Sequence, residues 1–385
     1  MIYLDYNSTT PVDPIVQKSM DPFLNEMYGN AASTTHELGR QSKSAVDGAR
    51  MAIASCINAK SHEVVFTSGA TESLNLGIMG TAIASTKKTK KIITTLIEHK
   101  AVLDSCKFVK KFGVDTVFID VDSNGFINVN QLSDKLDEDV ILVVIQHVNN
   151  EVGSIEPIPE IGSLCADAKV PLMVDAAQSL GKLTIDVKKW GVTYLAGSSH
   201  KIYGPKGVGI FYRNSANKFE LSPIIHGGGH EQGLRSGTLN VPGIVGFGRA
   251  IEIAQEQMND ETNRLHSLAT SFVEKLNSEN IDFLVNGSED NRVPGNLNIC
   301  FNGVDADWII LHTPEIAIST GSACTTETIE PSHVLRAMGI ADEVSNSSVR
   351  ISFGRFTTEK EMDKAARLLA NSVRTYLARK ESILG

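Results

Sequence analysis

The chain has 385 residues, 42% of them hydrophobic and 21% charged, with a formal net charge of −9. That length suits one large domain plus a smaller one, and the composition excludes a disordered chain. The acidic balance argues against direct binding to nucleic acid or an anionic membrane, no apolar run approaches the roughly 20 residues of a membrane helix, and Met1–Asp5 lacks the regions of a signal peptide, so a cytoplasmic protein is expected.

A short strand at the start runs into Asn7-Ser8-Thr9-Thr10-Pro11, a turn rich in amide and hydroxyl groups. Helices are expected over about 13–27, with Pro14 tolerated near the start, and over 33–59. Glu63–Thr67 then reads as a strand, Ser68-Gly69-Ala70 as a small-residue turn, and Thr71 as part of a helix's first turn. Free amides and the positive end of the helix dipole suit a phosphate there, and Gly69 and Ala70 let it come close. The spacing is neither Walker A nor GxGxxG, and a plain strand-to-helix connection has the same pattern.

Lys91–Leu96 is a strand leading through Ile97-Glu98-His99-Lys100 into a helix, which puts His99 at the edge where open α/β sheets bind ligands. An imidazole there can stack on a flat ring, although a lone histidine is more often structural. Val114–Val121 and Val140–Val148 continue the alternation, and Asn149 lands on the same edge. After a helix over 158–168, an apolar strand ends in Asp175, a carboxylate that burial obliges to find a cationic partner, with Gln178 three residues on. Val192–Leu195 precedes Ser198-Ser199-His200-Lys201-Ile202-Tyr203-Gly204-Pro205-Lys206. A lysine becomes a Schiff-base anchor when desolvation or a neighbouring cation lowers its pKa. Lys201, beside His200 and ahead of the Gly204-Pro205 turn, fits that better than Lys206, while a solvated turn lysine has the same local sequence.

Strands alternating with helices to about Tyr212 predict a doubly wound, largely parallel sheet. Its strand ends carry Thr71, His99, Asn149, Asp175, Gln178, Ser198, His200 and Lys201: a phosphate cradle, a stacking ring, a hydrogen-bonding amide, a carboxylate and an amine. That set meets the needs of pyridoxal phosphate. Lys201 takes its aldehyde, Thr71 with Ser198 and His200 its phosphate, and Asp175 keeps the pyridine nitrogen protonated so that the ring can accept electrons.

Further on, His226 and His230 are separated by three glycines, which argues against a helical two-histidine metal site, and no metal is expected. A long helix from Ile244 to about Asn277 leads into a second unit, with strands near 281–285, 297–301, 317–319 and 349–353. The five cysteines are scattered and form no CxxC pair, so neither a disulfide framework nor a zinc knuckle is indicated. Cys324 sits among small and hydroxyl residues, as an accessible nucleophile would, although cysteines are commonly buried and inert. Cys56, Cys106, Cys165 and Cys300 lie in apolar patterns and are expected in the core. Arg350 and Arg355 are both placed to pair with a carboxylate.

Thr67-Ser68-Gly69-Ala70-Thr71-Glu72-Ser73, Glu98-His99-Lys100, His147-Val148-Asn149-Asn150-Glu151, Asp175-Ala176-Ala177-Gln178, Ser198-Ser199-His200-Lys201 and Arg235-Ser236-Gly237-Thr238 resemble, in order, the motifs of the NifS/IscS-type cysteine desulfurases, fold-type-I, class V relatives of the aminotransferases. The resemblance runs from Leu4-Asp5-Tyr6-Asn7 to Gly354-Arg355-Phe356. It implies an α/β chain of the pyridoxal-phosphate-dependent transferase fold type I. A large, mostly parallel sheet domain would span 12–255, and a smaller α+β domain, from 1–11 and 256–385, would carry the catalytic cysteine loop.

The resemblance also implies an activity: L-cysteine becomes L-alanine, and its sulfur is held as a persulfide on Cys324 for an acceptor protein in iron–sulfur assembly, tRNA thiolation or DNA phosphorothioation. Lys201, Cys324 and His99 would be catalytic, with Lys201 or His99 removing the α-proton. Ala70, Thr71, His99, Asn149, Asp175, Gln178, Ser198, His200, Lys201 and Thr238 would hold the cofactor, and Asn149 and Arg350, rather than Arg355, the substrate. The glycine-rich loop at 225–238 implies a homodimer in which Thr238 acts in trans on the neighbouring subunit's cofactor phosphate. Two departures stand out: Pro314 falls where relatives usually continue a helix toward the cysteine loop, and the sequence stops at Gly385 without the longer tail by which the housekeeping enzyme engages its scaffold. The acceptor therefore stays open. Alternatives are a selenocysteine lyase, a class V aminotransferase, or a cofactor-binding partner protein with weak turnover.

Overall fold

The computed structural model describes residues 1–320 and 331–384. After β1 (Ile2–Tyr3), seven strands build the main sheet: β2 (Val64–Thr67), β3 (Lys90–Thr95), β4 (Val114–Ile119), β5 (Val140–Gln146), β6 (Leu172–Asp175), β7 (Tyr194–Ser198) and β8 (Gly209–Arg213). Their order is β2-β8-β7-β6-β5-β3-β4. All run parallel except β8, which is antiparallel to both neighbours. Helices cover both faces, so every residue of β5 is buried and the strand is an almost unbroken apolar run. Alternate residues supply the two cores. Val143 and Ile145 pack on the side of helices Glu37–Cys56, Ile158–Asp167 and Val241–Ser278, whereas Leu142 and Val144 pack toward helices Ala70–Ala84 and Lys100–Val109.

A second sheet places β10 (Asn296–Phe301) between β9 (Phe283–Val285) and β12 (Ser348–Ser352), all antiparallel. β1 pairs in parallel with β11 (Ile316–Ala317). The third core unites Ile2 and Leu4 with Leu265–Leu276 and with Met362–Val373 of the last helix. One helix thus serves two cores: Val241–Ser278 buries Ile244–Ile253 in the first and Leu265–Leu276 in the other.

The expected helix over 13–27 is two helices, Pro14–Met20 and Pro22–Asn25. Pro22 has no amide hydrogen and clashes with the preceding turn, so the first helix stops at it. The helix expected over 33–59 is Glu37–Cys56, started by His36, whose Nδ1 accepts from the Gly39 N–H at 3.2 Å. Helix Ala306–His312 ends ahead of Pro314, as a proline there requires. Among the described residues no helix is long and apolar enough to cross a membrane. Cys106, Cys165 and Cys300 are buried and Cys56 half-buried. Burial pushes the Cys56 thiol up to about 11 and those of Cys106 and Cys165 to about 12, far from ready thiolates. Cys324 lies outside the described residues.

Candidate active site

Because β2, β3, β5, β6 and β7 all point the same way, their carboxyl ends share one edge, and a cavity of about 470 Å³ opens there. Thr71, His99, Asp175, Gln178, Ser198, His200 and Lys201 line it together with Ala70 and Arg350. The predicted site is thus assembled from segments up to about 280 residues apart, with two exceptions among the described residues: Asn149 and Thr238 are not in the lining.

Lys201 ends the tight turn Ser199–Lys201 that follows β7. Its Nζ donates to the carbonyls of Asn7 (2.6 Å) and Ser8 (2.8 Å), so the polar N-terminal turn forms a wall of the site. Little in the turn's own residues marks that role. Backbone carbonyls carry no residue identity, and the abundance of amide and hydroxyl groups was the only signal. The next turn is strained: Tyr203 has φ of +66°, costly for a bulky residue. Thr10 holds it there, its Oγ1 accepting from the Tyr203 N–H (2.8 Å) and donating to the His200 carbonyl (3.0 Å).

Asp175 ends β6, and its carboxylate accepts one hydrogen bond among the described residues, from the Ala177 N–H at 2.9 Å. Burial raises its pKa, opposed by that hydrogen bond and by His99 and Lys201 nearby. The cationic partner expected for it is not an ion pair within the described residues; the carboxylate instead faces the cavity. This under-satisfied acid fits pyridoxal phosphate, whose protonated pyridine nitrogen would complete it. His99 caps helix Lys100–Val109, with Nδ1 accepting from the Ala101 N–H (3.1 Å), which puts the ring proton on Nε2. Burial lowers its pKa, so the ring is neutral.

At the other end of the cavity, Gly69 starts helix Ala70–Ala84 and no side chain caps its first-turn amides among the described residues. A Cβ on Gly69 would stand 3.8 Å from Ser198 Oγ. His200 Nδ1 meets Thr9 Oγ1 at 3.1 Å; burial, then the charges of Lys201, Lys206 and Lys182, push its pKa down to about 4 and leave it neutral. Gln178 donates from Nε2 to the Asn7 carbonyl (2.8 Å) and accepts at Oε1 from Lys182 (3.1 Å).

Asn149 is fully buried behind the cavity. Its Oδ1 accepts from the Glu151 and Val152 N–H groups (2.8 and 2.9 Å) and its Nδ2 donates to the Ile97 carbonyl (2.9 Å), leaving a single amide hydrogen for any ligand. Thr238 is exposed. Arg350 reaches in from β12: Nη2 pairs with Asp5 (2.9 Å) and Ser8 Oγ (2.8 Å), Nη1 donates to the Asn150 carbonyl (3.0 Å), and Nε has no partner among the described residues. Arg355 points elsewhere, into ion pairs with Asp13 and Glu261. His230, one of the two loop histidines, accepts at Nδ1 from the Gly237 N–H (3.3 Å).

The aminotransferase class-V family model matches residues 2–365. The cysteine desulfurase IscS of Colwellia psychrerythraea (strain 34H) is 46% identical over 374 residues, covering 97% of this chain and 92% of that protein. Among solved structures, a "NifS-like protein" superposes with a TM-score of 0.90 at 34% identity, over 97% of this chain and 99% of the other. "SspA in complex with cysteine" superposes at 0.81 and 36% identity, over 93% and 100%. With these matches and a lysine, a buried acid and an uncapped helix N-terminus on one sheet edge, the chain belongs to the class-V aminotransferases of fold type I and, within them, to the cysteine desulfurases.

Proposed function

We infer that this chain is a pyridoxal-phosphate-dependent L-cysteine desulfurase that yields L-alanine and passes sulfur on from Cys324. The observation that carries the reading is that Lys201, Asp175 and a substrate-ready Arg350 share one cavity. Lys201 would hold the cofactor aldehyde, Asp175 its ring nitrogen, and the turn at Gly69–Thr71 with Ser198 and His200 its phosphate. When bound, the cofactor supplies an electron sink that makes the substrate's α-proton removable.

Arg350 would take the α-carboxylate of cysteine, its Nε, which has no partner among the described residues, and an exchangeable Ser8 contact supplying a two-point grip. Lys201 Nζ would accept the α-proton. His99 suits that task less, because its Nδ1 is engaged and its Nε2 already carries a proton, so a donor role or a stacking role fits it better. The Cys324 thiolate would attack the substrate sulfur. The S–Cβ bond breaks, its electron pair stays on the carbon that becomes the alanine methyl after protonation, and the sulfur remains on Cys324 as a persulfide.

The division into a cofactor-binding unit over 12–255 and a smaller unit from 1–11 and 256–385 belongs to the same proposal, supported by a first core ending at Ile253 and another resuming at Leu265. So does a homodimer with Thr238 acting in trans, supported by the exposure of Thr238 away from its own cavity. Mixed dimers of Lys201→Ala and Thr238→Ala chains should regain activity at one site, and no recovery after proven subunit exchange would remove the trans role. An acceptor protein completes the scheme. The central test supplies sulfur-labelled cysteine: label should appear on Cys324, and Cys324→Ser should bind cofactor and substrate but form neither persulfide nor alanine. Label on Cys56, Cys106, Cys165 or Cys300, or alanine formed by the serine variant at the wild-type rate, would overturn it.

A further inference from the structure

An acid stands where the phosphate is to go. Glu72 lies in the first turn of helix Ala70–Ala84, next to Thr71, and lines the same cavity. A free carboxylate at that point favours the helix dipole but repels a bound phosphate, so left alone it would work against the cradle. It is not left alone. Its Oε1 receives Arg235 Nε at 2.8 Å and its Oε2 receives the Ser68 N–H at 2.8 Å, with the two side chains 11% and 21% exposed. Burial opposes ionisation of Glu72, yet the hydrogen bonds from Arg235 and Ser68 hold its carboxyl below the usual range, so the pair is charged.

Arg235 is itself absent from that cavity's lining among the described residues, and it is Glu72 that links it to the cavity. Its segment is anchored on the cradle's own side: Arg235 bridges Ile225, and upstream Glu231 pairs with Arg50 (2.7 Å) and accepts from the Phe66 N–H (2.7 Å) of β2. The guanidinium therefore arrives at Glu72 on a fixed support.

We propose that Arg235 is a positioning residue for the phosphate-bearing ligand: it cancels the charge of Glu72 and holds that carboxylate on the Ser68 N–H, so that the Ser68–Thr71 turn keeps its shape while its free amides face an anion. This rests on reading the turn as the phosphate cradle. Neutralisation predicts a specific pattern. Removing Arg235 should harm only ligands that carry a phosphate, and removing the charge of Glu72 should repair the harm, because the amide oxygen of glutamine still accepts from Ser68.

The experiment strips the purified protein of cofactor and measures dissociation constants for pyridoxal phosphate and for pyridoxal, which lacks the phosphate, by protein fluorescence. Arg235→Met should weaken pyridoxal phosphate about tenfold or more and leave pyridoxal within about twofold. Glu72→Gln in the Arg235→Met background should recover most of that loss. Equal weakening of both ligands, or a double variant no better than Arg235→Met, would overturn the proposal while leaving the cradle intact. A wild-type protein that binds pyridoxal as tightly as pyridoxal phosphate would overturn the cradle and the proposal together. The pyridoxal arm also exposes a misfolded variant, since a damaged site loses both ligands.

Discussion

Arg350, in the middle of β12, and Arg355, three residues past its end, both turn back to the N-terminal segment, yet they finish in opposite circumstances. Arg355 is complete. It pairs with Asp13 (3.0 Å) and Glu261 (3.1 Å), lies over the Tyr203 ring at 4.2 Å, and its N–H donates to the Tyr203 hydroxyl oxygen (2.6 Å). Among the described residues Arg350 has one acid, Asp5, and an Nε without a partner, although it is only 4% exposed. A buried cation closed by two carboxylates is a strut, and one with a donor to spare beside a cavity can take another carboxylate. The same contrast extends to the acids: among the described residues Asp175 faces the cavity with one hydrogen bond to its carboxylate, whereas Glu261 and Asp13 are paired. The cavity side is built incomplete, the seam behind it complete.

The comparison predicts that substitutions on the cavity side cost chemistry and those on the seam cost stability. Lys201→Ala is the extreme case on the first side. Alanine formation should fall roughly a thousandfold or more, with the melting temperature within a few degrees of wild type, because the hydrogen bonds lost to Asn7 and Ser8 are to backbone carbonyls beside an open cavity, where water can replace the amine. Sulfide release near the wild-type rate would break the comparison at its root.

On the seam, Arg355→Ala strands Asp13 and Glu261, and denaturant unfolding should show a loss of about 3–5 kcal/mol. Its kcat/KM, measured where the variant is fully folded, should stay within a few-fold of wild type. A large kinetic defect in a stable variant would make Arg355 the substrate's partner instead. Arg350→Ala should do the reverse: kcat/KM lower by about 100-fold, mostly through KM, from the loss of a charge-assisted pair worth about 3 kcal/mol. Unchanged KM for cysteine would mean the carboxylate binds elsewhere.

Which arginine is which could not be read from spacing. Arg350 stands in a short apolar strand and Arg355 just after it, and both have hydroxyl neighbours; what separates them is the partners, Asp5 and Ser8 against Asp13 and Glu261, brought from far along the chain. The sheet was legible because polar residues recur where apolar runs stop, and parallel strands gather such residues on one edge. Asp175, His99 and Lys201 were found that way. The break at Pro22 is also legible, as a proline inside an expected helix. Asn149 shows a different limit. Its amide sets the turn into Glu151 and Val152, a structural use that the same Asn-Asn-Glu sequence also permits, and only the geometry shows how little of it remains for a ligand. Glu72 and Arg235 sit far apart in the sequence and become a pair only once the loop folds onto the Ser68–Thr71 turn.

The smallest expected effect sets two histidines against each other, His200 on the cavity side and His147 in the core, each with a pKa pushed down to about 4 chiefly by burial. His147 is 4% exposed, edge-on to Trp190 at 5.0 Å, and its Nδ1 has no partner among the described residues. Its imidazole is neutral when folded but protonates near pH 6.5 when unfolded, so its contribution to stability is whole above about pH 6.5 and drains away as the pH falls toward 4. Between pH 7.5 and 5 that loss is about 2 kcal/mol. Glu156, held neutral by burial with a pKa of about 8, works the other way, adding stability as the pH falls through the same range. Wild type alone therefore hides the histidine, and a variant is needed to see it. His147→Leu keeps Glu156 and removes the imidazole, so between pH 7.5 and 5 its unfolding free energy should gain about 2 kcal/mol relative to wild type, while kcat/KM at pH 7.5 stays within about twofold. Parallel stability curves for the two proteins would show that His147 is not held neutral, and a kinetic change without a stability change would place it on the cavity side after all.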